Sequence, residues 1–137
     1  MALSHTRLVA TEEALEQGRE AFAAGRFFEA HAHWEEAWRL ESGTHRRLLQ
    51  GLIQAAAAYH KMSVQRHPAG MVKLLDRALE QLRGIPDGFA MLQLDRLRTG
   101  LVRSRDEALA WCSGGPSPAG PAPLGTYLRA ALLPVRD

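Results

Sequence analysis

The chain has 137 residues, 46% hydrophobic and 23% charged, with a formal net charge of +2. That size and balance suit one globular domain with a genuine core and exclude two independent ones. A single cysteine, Cys112, excludes an intramolecular disulfide and a cysteine metal cluster within one chain. No apolar run approaches the roughly 18–20 residues of a membrane span, and residues 1–11 lack the apolar stretch of a secretory signal, so a cytoplasmic protein without membrane contact is expected.

The small net charge hides an uneven distribution. Residues 12–41 carry eight acids against three arginines, and residues 42–107 carry eleven bases against six acids. Such asymmetry suits self-association or a protein partner of complementary charge, and equally suits solvated helix surfaces.

Apolar residues recur at three- and four-residue spacing almost throughout, and no stretch alternates as a half-buried strand does. A first helix is expected over about 11–24, with Thr11 as its cap and Gly25 just past its end. Leu15, Gly18 and Phe22 form its inner stripe. A second helix is expected over 26–41, ending at Ser42-Gly43. The third runs from Thr44 to about Gln65, apolar around most of its circumference and therefore central. Its polar strip is Gln50, Gln54 and Lys61, while Gly51, Ala55 and Ala58 allow a neighbour to approach closely. Pro68 opens a fourth helix that stops before Gly84. A fifth spans 95–112, with Leu94, Leu97, Leu101, Ala108 and Trp111 inward. The expected fold class is all-α: a compact bundle of about five helices with helix three central. The bundle occupies 1–112, a flexible Gly/Pro/Ser linker 113–123, and a C-terminal tail 124–137 with a short amphipathic helix.

The second helix carries the residues most suggestive of chemistry. At about 100° per residue, Phe27, Ala30, His31, Trp34, Glu35 and Trp38 share one arc of about 140°. His31 and Glu35 thus fall among aromatics on a face expected to be buried, where an unpaired imidazole or carboxylate is costly. They can satisfy each other, with Gln50 or Gln54 joining from helix three. Two readings follow: a metal or acid–base site built from facing helices, or a hydrogen-bond network that fixes helix docking. His60 is the candidate third ligand, although its angular position suggests a different neighbour. His31-Ala32-His33 is no metal pair, because positions i and i+2 diverge on a helix. The H-E-x-x-H zinc motif, the G-x-S-x-G elbow, the P-loop and the dinucleotide fingerprint are absent. Arg96, Arg98, Arg103 and Arg105 cluster without interleaved aromatics and with Asp106 and Glu107 adjacent, which argues against nucleic acid. Cys112, beside a linker, reads as incidental.

Phe27-Phe28-Glu29-Ala30-His31 through Glu35-Glu36-Ala37-Trp38, then Leu49-Gln50-Gly51-Leu52-Ile53-Gln54 and Tyr59-His60, resemble a bacterial and archaeal family catalogued as domain of unknown function 309. The resemblance covers about residues 12–83 and implies a helical protein without an established activity. The matching positions are Phe28, Glu29, His31, Glu35, Trp38, Gln50, Gly51, Gln54 and His60. Ala32 stands where the family usually has Glu, so a catalytic base at that position would be missing here. Helices one and two also resemble one tetratricopeptide-type hairpin, read as shared packing and not as an array.

The candidate polar site is therefore His31, Glu35, Trp38, Gln50, Gln54 and His60, with no metal or cofactor assigned. Two functions remain open: a non-enzymatic interaction or scaffold protein, binding another protein or itself, and a small metal-binding or hydrolase-like protein using His31 and Glu35.

Overall fold

In the computed structural model, which describes residues 2–118 and the side chains from residue 12 onward, helices follow one another in chain order. They are α1 (Ala2–Ala23), α2 (Phe27–Leu40), α3 (Gly43–His60), α4 (Pro68–Leu82) and α5 (Leu94–Cys112). A π-helical turn, Lys61–Gln65, prolongs α3, and a 3₁₀ turn, Phe89–Met91, precedes α5. Among the described residues there are five α-helices and no strand, so the fold is the expected all-α bundle. The expectations for residues 119–137, including the amphipathic tail helix, lie outside the described residues.

Helix ends follow local chemistry with one correction. Gly25 has a φ of 81°. Its N–H donates to Phe22 O at 3.0 Å, and Arg26 N–H donates to Ala21 O at 2.8 Å. These two bonds form a Schellman ending that satisfies orphan carbonyls of α1. At the other end α1 begins well before Thr11, which is an interior helix position and not a cap. The segment from Ala2 to Ala10 contains neither glycine nor proline to stop the helix. Pro68 occupies the first turn of α4, where His67 Nδ1 accepts the Gly70 N–H at 2.8 Å. The last carbonyls of α4 are held by two arginines from other helices. Arg47 donates to Gln81 O and Arg83 O, and Arg98 donates to Leu82 O and Ile85 O, all at 2.7–2.9 Å.

Consecutive helices, joined by short turns, pack on one another as antiparallel neighbours. α3 lies between α2 and α4 and reaches α5 through Tyr59, whose hydroxyl donates to Ser104 Oγ at 2.9 Å in the buried interior. Phe22, Phe27, Trp34 and Tyr59 form an aromatic cluster joining α1, α2 and α3, with ring centroids 5.2–5.7 Å apart. Each such ring contributes about 1.5–3 kcal/mol through burial. Two glycines permit the closest approaches. Any Cβ on Gly18 would run into the Trp34 indole, and one on Gly51 would lie 2.7 Å from Leu82 Cγ. On α4 the inner stripe is Met71, Leu75, Ala78 and Leu82, with Val72 and Leu79 only partly covered.

Part of the basic cluster on α5 is committed to structure. Arg98 caps α4 and pairs with Asp95 at 2.8 Å, and Arg105 pairs with Asp76 on α4. The hydrogen bond and charge of Asp76 hold the Arg105 guanidinium above its ordinary pKa. No helix among the described residues is long and apolar enough to cross a membrane.

Candidate functional site

The antiparallel packing of α2 on α3 sets two rows of side chains side by side. Toward the start of α2, Phe27, Phe28 and His31 face Ala56, Ala57, His60 and Lys61 across a pocket of about 150 Å³. Toward its end, Trp38 shares a more open hollow of about 340 Å³ with Arg46, Arg47, Gln50 and Gln81. Glu35 is one turn from both His31 and Trp38, and Gln54 is one turn from both Gln50 and Ala57. The register therefore sets Glu35 and Gln54 between the two hollows.

The first pocket is an apolar floor rimmed by imidazoles. Phe28 is 70% exposed. Its ring lies roughly parallel to that of His31, with centroids 6.4 Å apart, and 6.0 Å from that of His60. His31 and His60 thus meet at one pocket with the Phe28 ring beside both, contrary to the expectation that His60 faces elsewhere. His31 Nδ1 is 3.5 Å from Glu35 Oε2, and Arg39 donates to Glu35 Oε1 at 3.0 Å.

His31 and Glu35 are not sealed in the bundle as expected. Their side chains are 33% and 37% exposed. The buried face of α2 is Phe27, Ala30, Trp34 and Ala37. Including Ala37 turns the centre of that face toward Ala30, leaving Glu35 about 120° away, at the margin. The two groups consequently meet each other and water.

At the second hollow the Arg46 guanidinium sits 3.9 Å over the Trp38 ring, a cation–π contact. Gln54 Oε1 is buried without a hydrogen-bond partner, a condition that costs about 1–3 kcal/mol. Among the described residues, no three His, Cys, Asp or Glu side chains come together as a metal would require. Ala32 is exposed and lines neither hollow.

Sequence reasoning did not single out Phe28, Lys61 or Arg46 for this face. The adjacent Phe27-Phe28 pair held a usable signal, since neighbours about 100° apart cannot both point into one core.

Residues 15–74 match the family described as Domain of unknown function (DUF309). The matched segment runs from the middle of α1 into α4 and includes both walls of the α2–α3 face. All nine positions that carry the sequence resemblance to DUF309 fall inside it. An uncharacterized protein of Aquifex aeolicus (strain VF5) is 30% identical over 87 residues, which is 63% of this chain. The match spans only 26% of that relative's length.

Proposed function

We propose that this protein is a helical binding module, without chemistry of its own, whose α2–α3 face receives an apolar side chain from a partner protein. The carrying observation is Phe28, 70% exposed beside an apolar pocket of about 150 Å³. A cavity of that size accepts a benzene-sized group. Exposed aromatics beside pockets are the usual anchors of interfaces. The Aquifex relative supports the reading, because there the similar segment is about a quarter of a longer chain.

A second reading, acid–base chemistry, draws on the His31–Glu35 contact at the rim of a solvent-reaching pocket. It is weakened by the pocket's lining, which contains no hydroxyl, thiol or carboxylate nucleophile.

The test is selection of displayed helical peptides against the folded chain. Selected peptides are expected to carry an aromatic or leucine anchor. Their affinity should fall at least tenfold, about 1.4 kcal/mol, with Phe28→Ala or with Ala57→Leu, which narrows the pocket. Circular dichroism should stay unchanged in both variants. Peptides that bind both variants as tightly as the parent would overturn the assignment. Ester hydrolysis above buffer that disappears in His31→Ala would favour the second reading.

A further inference from the structure

A larger cavity lies on the opposite side of α2, away from the His31 face. It measures about 290 Å³, and its walls include Leu15, Trp34, Leu52, Ala90 and Met91. Its size is at the lower end of the range for small-molecule sites, about 300–1,000 Å³. The Trp34 indole forms part of the wall and donates to Leu15 O at a long 3.4 Å. The cavity therefore has a flat aromatic surface held in place by the core.

The cavity's roof is conformationally unusual. Ala90 and Met91 both have positive φ, 54° and 62°, where a side chain is disfavoured. Hydrogen bonds around them maintain the turn: Gly88 N–H donates to Leu92 O at 2.9 Å, and Met91 N–H to Gly88 O at 2.8 Å. The Phe89 ring is anchored against His45, with centroids 4.7 Å apart. Met91 remains 59% exposed at the edge of the cavity. Two successive strained residues above an apolar cavity are the kind of feature that accumulates at binding sites.

The mouth carries charge of one sign in excess. Glu12, Glu16 and Arg19 line it, and Glu16 is paired with Arg19. Glu12 makes no ion pair among the described residues and remains as a carboxylate beside an apolar hole.

We infer that this cavity is a second binding site, for a small molecule with an aromatic or alkyl body and a protonated amine. The body lies against Trp34 and Leu52 beneath Ala90 and Met91, and the ammonium meets Glu12 at the mouth. A carboxylate at the edge of an apolar cavity selects a cation, because the charge pair forms where water is partly excluded. The site is independent of the α2–α3 face.

Three isosteric probes test it: 2-phenylethylamine, 2-phenylethanol and 3-phenylpropanoate, titrated while the Trp34 indole N–H is followed by ¹H–¹⁵N NMR. The amine should shift that resonance saturably, at least threefold more tightly than the alcohol and with the carboxylate weakest. Glu12→Gln should reduce amine affinity to that of the alcohol, whereas Glu13→Gln, one residue away and outside the cavity lining, should leave it unchanged. A Trp34 resonance unmoved by all three probes at millimolar concentration would overturn the site. Equal binding of amine and alcohol, or insensitivity to Glu12→Gln, would overturn the ligand class.

Discussion

Tyr59 Oη donates to Ser104 Oγ at 2.9 Å, joining α3 to α5 across 45 residues of sequence within the buried interior. Both residues are almost fully buried. Ser104→Ala is therefore expected to lower stability by about 1–3 kcal/mol, because the phenolic hydroxyl loses a buried acceptor. Adding Tyr59→Phe should recover part of that loss by removing the donor as well. Chemical denaturation of the two single variants and the double variant checks this, and strictly additive losses would contradict it.

Gly18 gives a sharper packing test. In an exposed helix interior, Gly→Ala would gain up to about 1 kcal/mol through helix propensity. Here the new methyl meets the indole of Trp34, which is 1% exposed and cannot swing aside. Overpacking should dominate, for a net loss of about 1–3 kcal/mol. A variant melting at or above the parent temperature would show that the indole can yield.

Glu35→Ala should have little effect. The carboxylate is 37% exposed and its partners, His31 and Arg39, are both one turn away on the same helix. Exposed pairs of that spacing contribute about 0.3–0.5 kcal/mol. Thermal melts should place the variant within about 0.5 kcal/mol of the parent. A much larger loss would mean that Glu35 supports the interior after all.

The start of α2 should respond to acid. The Glu29 carboxyl is held below its ordinary pKa, first by its hydrogen bond from Arg26 Nε at 2.7 Å and also by the charges of Arg26 and His33. A carboxyl depressed in the folded state contributes stability above its unfolded pKa and loses that contribution as pH falls through the folded value. The parent should therefore melt above Glu29→Gln at neutral pH, and the gap should close once the pH drops below the ordinary carboxylate range. A gap that persists in strong acid would exclude this ion pair as its source.

Much of the bundle was legible because backbone chemistry marks it. Gly25 and Pro68 place helix ends through conformations the backbone requires, and the apolar periodicity of α3 identifies the central helix. The candidate site was only partly legible. His31, Glu35, Trp38, Gln50, Gln54 and His60 do share the α2–α3 face, but the depth of each depends on where the buried stripe is centred. Ala37 moves that centre, and alanine carries little hydrophobic weight in a sequence pattern. Ser104 as a buried partner, the α4-capping roles of Arg47 and Arg98, and the cavity beneath Ala90 and Met91 all depend on contacts distant in sequence. No local spacing encodes them.

The π turn at Lys61–Gln65 has a consequence for how this chain tolerates changes in length. Such a turn holds one residue more than the α-helical turn it replaces. Arg66, at a φ of 52°, then redirects the backbone, its guanidinium 5.2 Å from the Trp111 ring, and His67 is placed to cap α4. Deleting one residue between 61 and 65 would let the helix continue as α and rotate everything that follows by about 100°. The cap, the Trp111 contact and the inward stripe of α4 would all lose their alignment together, although no core side chain had been removed. An alignment gap at this point between two relatives would thus mark a change in the bundle's geometry, whereas a gap in the exposed turn at Asp87–Gly88 would shift only a local bend.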